Sequence, residues 1–225
     1  MIELSEVSYG YGAKPLFSGA NLSLGPGTFH FLTGPSGAGK TTFLRLCYAD
    51  LLPMQGSVSL FGDVSAGMSR DSIARARQRI GVVHQDCQFL DHLSLRENIG
   101  LPLLVAGRDP RLSERNLSEL LAWVGLENRE AAFPPELSGG ERQRAALARA
   151  VIMDPDAILA DEPTGNVDWD MSIRLLTLLT ELHAMGKAIL MATHDLALIR
   201  AAKSRSNARV LRLTGGALQL AGSDL

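Results

Sequence analysis

The stretch FHFLTGPSGAGKTTFLRL, Phe29 to Leu46, decides the fold. Phe29 to Leu32 is a short apolar strand that runs straight into a glycine loop. From Thr41 onward apolar residues recur every three or four positions, the helical period, until Pro53. The loop between them, Gly34-Pro35-Ser36-Gly37-Ala38-Gly39-Lys40-Thr41, satisfies G-x-x-x-x-G-K-[ST] in full and in the strand-to-helix setting that the pattern requires. Its glycines allow the backbone to wrap phosphates with N–H groups turned inward. Lys40 is placed to reach the β- and γ-phosphates of a nucleotide, and the Thr41 hydroxyl to ligate Mg²⁺. Thr42 completes the candidate cradle.

Two further runs, AILA (Ala157–Ala160) and AILMA (Ala188–Ala192), are as uniformly apolar as FHFL. Such runs suit parallel strands buried on both faces. All three end in polar residues: Thr33-Gly34, Asp161-Glu162 and Thr193-His194. Ligands of open parallel sheets lie beyond the carboxyl ends of the strands, so three separate segments point to one site. Asp161 is the candidate metal-holding aspartate, and Glu162 the candidate general base for an attacking water. His194, at the end of its strand, comes within reach of a γ-phosphate.

A second phosphate-facing helix start lies a hundred residues on, in LSGGERQRAALARA (Leu137–Ala150). Ser138 and Glu141 form a capping-box pattern, and a helix N-terminus carries roughly half a positive charge. Gly139 and Gly140 weaken a first turn and make sense where a ligand approaches the backbone closely. Around this helix the chain changes character. Residues 86–153 read as an all-helical insert, with helices opening at Ser94-Leu-Arg-Glu97 and running from Leu112 to Val124. Residues 1–85 and 154–225 read as an α/β core. It has strands over Ile2–Ser8, Asn21–Leu24, Val58–Phe61 and Ile80–Val83, a helix over about Met171–His183, and a last β pair in RVLRLTGGALQL.

Composition excludes several classes. A net charge of −2 offers no field for nucleic acid, and the longest apolar stretch, Ile99 to Gly107, is far short of a membrane span. Cys47 and Cys87 match no metal or redox spacing, and the five histidines are scattered singly. No signal-type segment follows Met1, so any role at a membrane is expected to run through a partner.

The P-loop, Gln85 in GVVHQD, the LSGGE signature, ILADEPTGNVD and MATHD stand in the order they have in the nucleotide-binding subunits of ABC transporters, which the whole chain resembles. The resemblance implies an ABC ATPase fold: a P-loop NTPase with a RecA-like parallel sheet, an N-terminal antiparallel β-subdomain and the helical insert as one domain. It implies ATP and Mg²⁺ as ligands and a head-to-tail homodimer, in which each signature helix (Ser138, Gly139, Gly140, Glu141) caps the ATP on the other copy's P-loop. That arrangement accounts for two phosphate-binding ends in one chain. It also implies that Tyr11 stacks on adenine, with Tyr9 the competing candidate. Gln85 contacts Mg²⁺ and the attacking water, and Asp168 bridges the dimer. TGPSGAGKT, NIGLPLLVAG and LADEPTGNVD with LMATHD look most like the cell-division subfamily. Its membrane partner is FtsX, and it regulates peptidoglycan hydrolysis from the cytoplasmic face of the bacterial inner membrane. Lipoprotein-release and macrolide-export ATPases are the alternative. A partner helix is expected near Cys87–Leu93, at Phe89, Leu90 and Leu93. His84 and Thr28 depart from the family pattern, and the glycine usual after the P-loop helix is absent from CYADLLP. Arg70 to Arg79 reads as a solvated helix face.

Overall fold

The computed structural model describes residues 1–12, 14–108, 114–165, 167–204 and 206–221, with the side chain of Lys14 left aside. The three apolar runs form β3 (Phe29–Thr33), β7 (Ala157–Asp161) and β8 (Ala188–Ala192), every residue of them buried. With β6 (Ile80–Val83), β9 (Arg209–Thr214) and β10 (Ala217–Leu220) they make a six-stranded sheet in the order β10-β9-β3-β8-β7-β6. It is parallel from β9 to β6, and β10 pairs antiparallel with β9 at the edge. Register aligns Leu32 and Asp161 with Ala192, and Val83 with Ala160, so these strands finish side by side.

Alternation along the buried strands feeds two cores. Phe29, Phe31, Ile158, Ala160, Ile189 and Met191 face α5 (Gly139–Val151), α6 (Trp169–Ala184) and α7 (Leu196–Lys203). Leu32, Leu159 and Leu190 face α1 (Lys40–Cys47) and a second, antiparallel sheet ordered β2-β1-β4-β5. Between β6 and β7 the described elements are all helical: α3 (Leu95–Val105), α4 (Glu114–Trp123), two 3₁₀ turns and α5. The helix expected from Leu112 begins outside the described residues. α3 opens on a complete capping box between Ser94 and Glu97. Gly81 is required by close packing: a Cβ there would stand 2.3 Å from the Ala150 carbonyl oxygen of α5.

Several boundaries differ from expectation for physical reasons. The first two strands are a long hairpin, β1 (Ile2–Tyr11) and β2 (Lys14–Leu24), where GYGAKP reads as an extended turn. Pro15 is tolerated because β2 is an edge strand of its sheet, where a missing N–H costs no ladder bond. α1 stops at Cys47 instead of continuing to Pro53. Asp50 N–H returns to the Arg45 carbonyl at 2.9 Å and Ala49 N–H to that of Leu46 at 3.0 Å, a Schellman ending. Ala49 takes the left-handed position (φ 54°) in the segment where the family's glycine is missing. β4 runs over Gln55–Leu60, one residue short of Phe61. The arginines of α2 (Arg70–Gln78) and its end are exposed, as a solvated face requires, and two of them also make contacts. Arg77 donates to the Tyr48 and Ala49 carbonyls, and Arg79 stacks on Phe61 at 3.7 Å while pairing with Asp156.

Candidate functional site

The aligned strand ends bring Lys40, Asp161, Glu162 and His194 together. Gly39, at φ 99°, caps α1 in a conformation that glycine adopts without strain, and turns Lys40 into the first helical position. The Lys40 ammonium is buried and donates to the carbonyls of Gly34 at 3.0 Å and Pro35 at 3.4 Å, within its own loop. It also lies 3.4 Å from Glu162 Oε1. The other carboxylate oxygen, Oε2, is 3.0 Å from His194 Nδ1. Glu162 itself sits just past β7 at φ 46°, a conformation disfavoured for a side chain of its size. It is held there by its N–H on the Ala192 carbonyl and its carbonyl on the Gly165 N–H. Strain of this kind is concentrated where function requires a fixed side-chain direction.

Asp161 is buried, which raises its carboxyl above the ordinary aspartate range. The Thr41 hydroxyl and Lys40 pull it back, while Glu162 pushes it further up. Its Oδ1 is buried with no hydrogen-bond partner among the described residues. An orphaned carboxylate oxygen beside the Thr41 hydroxyl is an all-oxygen donor set that suits Mg²⁺. Around it, Thr42 is buried and its hydroxyl lies 3.3 Å from the Tyr11 hydroxyl. Tyr11 is 61% exposed at the end of β1 beside this loop, with Tyr9 edge-on to it at 5.4 Å and half-buried against the second core. Gln85, expected here, is exposed one residue past His84, and its carbonyl accepts from Gln143 Nε2 at 3.3 Å.

The signature segment forms the start of α5 with Ser138 as N-cap and a complete capping box. Ser138 N–H donates to Glu141 Oε2 at 2.8 Å, which holds the Glu141 carboxyl below its usual range. Glu141 also pairs with Arg129 at 3.0 Å. Ser138 and Gly139 are exposed. Gly140 has a reason within the chain, since a Cβ there would press to 3.0 Å on Met171 of α6. Asp168 is exposed and caps α6, its Oδ1 accepting from Met171 N–H at 2.8 Å. Of the residues proposed to meet a partner helix, Leu90 is exposed, Phe89 and Leu93 are half-buried and Cys87 is buried. A cleft of about 600 Å³ adjoins them, lined among others by Tyr48, Arg77, His84, Leu101, Val105 and Met153.

Sequence reading missed three polar residues that shape this region: Asn98, Gln143 and Arg149. Their signal is a polar side chain on an otherwise apolar helix face; Asn98 and Gln143 are both buried.

A nucleotide-cradling loop, a buried aspartate and a strand-end glutamate facing a histidine define a P-loop ATPase, and comparison with known proteins gives its class. The family model described as ABC transporter matches residues 17–165, and the chain belongs to that family as one of its nucleotide-binding, ATP-hydrolysing subunits. It is 38% identical over 207 residues to the cell division ATP-binding protein FtsE of Bacillus subtilis strain 168, covering 91% of this chain and 90% of that protein. To FtsE of Escherichia coli K12 it is 38% identical over 219 residues, 97% of each. It is thus an ABC ATPase subunit of the cell-division type. Among solved structures, the dimeric post-hydrolysis state of the ATP-binding cassette MJ0796 bound to ADP and Pi superposes with a TM-score of 0.86 at 30% identity, covering 97% of both chains.

Proposed function

We propose that the chain is the ATPase of a cell-division complex of the FtsE–FtsX kind. In this reading ATP-driven closure of a head-to-tail homodimer moves an integral membrane partner that regulates peptidoglycan hydrolysis. The single observation that carries the hydrolytic part is Glu162: a buried carboxylate with one oxygen on Lys40 and the other on His194, at the shared end of β3, β7 and β8. In the working site the backbone of Gly34–Thr42 cradles the phosphates, and Lys40 leaves the loop carbonyls for the β- and γ-phosphates. Thr41 and Asp161, with Gln85 from the neighbouring loop, would hold Mg²⁺, which would supply charge neutralisation at the phosphates. Glu162 takes the proton of the attacking water, and His194 orients Glu162 and meets the γ-phosphate. Tyr11 stacks on adenine.

The N-terminus of α5 supports a composite site, because Ser138 and Gly139 are exposed there, ahead of half-buried Gly140 and Glu141, where a second copy can bring a phosphate. Asp168, exposed at the start of α6, bridges the two copies. Membrane association runs through the partner. No described helix is long and apolar enough to cross a membrane. The cleft that Gln88 lines, with Val105 80% exposed at its wall, has the size and apolar lining to seat a cytoplasmic helix of that partner. In this reading the protein works at the cytoplasmic face of the bacterial inner membrane, held there by that partner.

The test is capture of partners by the ATP-loaded Glu162→Gln protein from detergent-solubilised native membranes, identified by mass spectrometry. A four-span membrane protein with a large extracytoplasmic domain, together with septal proteins, is the expected result. A lipoprotein-release or efflux permease in its place would overturn the division role and leave the ATPase reading intact.

A further inference from the structure

The segment that leads from β6 into α3 is held by side chains from two helices. Cys87 and Gln88 both have left-handed backbones, φ 57° and 46°, which neither residue type favours. On one side α5 takes the carbonyls. Gln143 donates to Gln85 O, and Arg149 donates to Gln88 O at 2.7 Å and to Cys87 O. The Arg149 guanidinium lies over the Phe89 ring, 4.6 Å from its centroid. On the other side Asn98 of α3, fully buried, donates to the carbonyls of Leu90, Leu93 and Ser94 and accepts from Leu90 N–H. α5 is the helix whose first turn carries the signature, and Arg149 and Gln88 also line the 600 Å³ cleft.

We propose that Arg149 is a positioning residue for ATP hydrolysis: its fork on the Cys87 and Gln88 carbonyls fixes the left-handed turn that aims Gln85, and ties that turn to the signature helix. In this role Arg149 acts through the turn it holds and not on the nucleotide itself. A planar guanidinium spans two successive carbonyls in fixed geometry, which a lysine ammonium does not reproduce. Because the same fork forms part of the cleft, a partner helix seated there bears directly on the turn carrying Gln85. The inference rests on the ATPase reading above and adds the element that couples the cleft to the site.

Three full-length variants test it: Arg149→Met, which keeps the stem and removes the donors, Arg149→Lys, and Arg149→Met combined with Gln88→Asn. Asparagine enters the left-handed region far more readily than glutamine. The expected result for Arg149→Met is a fall in kcat of about tenfold or more, with ATP affinity within about twofold of wild type and an unchanged circular dichroism spectrum. Arg149→Lys falls between, and Gln88→Asn restores at least about threefold of the lost kcat. A merely packed arginine is not rescued by an asparagine on the exposed turn. Wild-type kcat in Arg149→Met, loss of kcat and ATP affinity together, or no rescue would each overturn the proposal. If Arg149→Met does not fold, Arg149→Lys decides, and wild-type kcat in that variant counts against the fork. If the wild-type protein itself shows no Glu162-dependent turnover, the ATPase reading fails separately. The clamp is then judged by amide exchange over residues 84–94, expected at least about tenfold faster in Arg149→Lys, with an unchanged rate counting against it.

Discussion

Replacing Glu162 by Gln should separate binding from turnover in opposite directions. Glutamine keeps the shape of the side chain and its polar contacts with Lys40 and His194 but removes the charge. In the free protein the Glu162 carboxylate attracts the Lys40 ammonium at 3.4 Å, with both side chains about nine-tenths buried. At that distance and an effective dielectric near 20 the Coulomb attraction is about 5 kcal/mol before desolvation. Lys40 keeps its bonds to Gly34 and Pro35 in the variant, so much of that attraction is offset. What remains acts in one direction. Removing the charge frees Lys40 for the phosphates, and it also removes the repulsion between the carboxylate and the γ-phosphate. ATP binding should therefore tighten by about tenfold, roughly 1.4 kcal/mol. Turnover should fall about 10²- to 10⁴-fold with the loss of the general base. Equilibrium titration with a fluorescent ATP analogue and a phosphate-release assay measure the two effects. Turnover within tenfold of wild type refutes the assignment of Glu162 as base. Binding weakened in step with turnover would show that the carboxylate organises the site and does not compete within it.

Three other perturbations follow from the same geometry. Asp161→Asn should raise the melting temperature of the nucleotide-free protein at neutral pH, since burial and Glu162 hold that carboxyl above its usual range and its ionisation opposes folding. The same variant should lose Mg²⁺-dependent ATPase, and the two readouts can be taken on one preparation. Gly81→Ala forces a Cβ against the Ala150 carbonyl and should cost about 2 kcal/mol, near 5 °C in melting temperature, from overpacking between β6 and α5. His30 is buried in β3 with Nδ1 unpartnered, and burial followed by Arg209 lowers its pKa below 6.5. The unfolded chain therefore takes up a proton that the folded one resists, and stability is lost as pH falls below about 6.5. The drop in melting temperature from pH 7.5 to 5.5 should be smaller in His30→Leu than in wild type. An equal drop would assign the acid sensitivity elsewhere.

The buried elements were legible because a parallel strand covered on both faces leaves an uninterrupted apolar run; FHFL, AILA and AILMA each became a fully buried strand. The two capping boxes at Ser94 and Ser138 were legible for a similarly local reason, three residues joining donor and acceptor. Edges were harder. Gly10, Gly12, Pro15 and Gly19 carry turn chemistry, yet most of that stretch is paired strand, because β2 lies at an edge where proline and glycine cost little. Helix α7 went unread, although Asp195 caps it through Leu198 N–H at 3.0 Å, since LALIRAAK follows a strand-end motif that drew a catalytic reading. Short β5, Asp63–Val64, exists only through its pairing with β4. The partners of the Gln85 turn lie up to 62 residues away in α5, and no local pattern encodes a side chain that seeks a distant carbonyl. Gly140 carries the opposite lesson. A glycine read as making room for a ligand also makes room for Met171 of its own chain.

In the proposed dimer each active site is built from the P-loop of one copy and the signature helix of the other. Mixing Lys40→Ala protein with Ser138→Arg protein tests it most directly. Each alone should be inactive, the first for want of its P-loop lysine and the second because a bulky cation blocks the start of α5. With random pairing, half the dimers are mixed, and each mixed dimer has one intact composite site, so the mixture should recover roughly one quarter of wild-type ATPase. A mixture as inactive as its components would contradict the head-to-tail arrangement and return both phosphate-binding ends to a single chain.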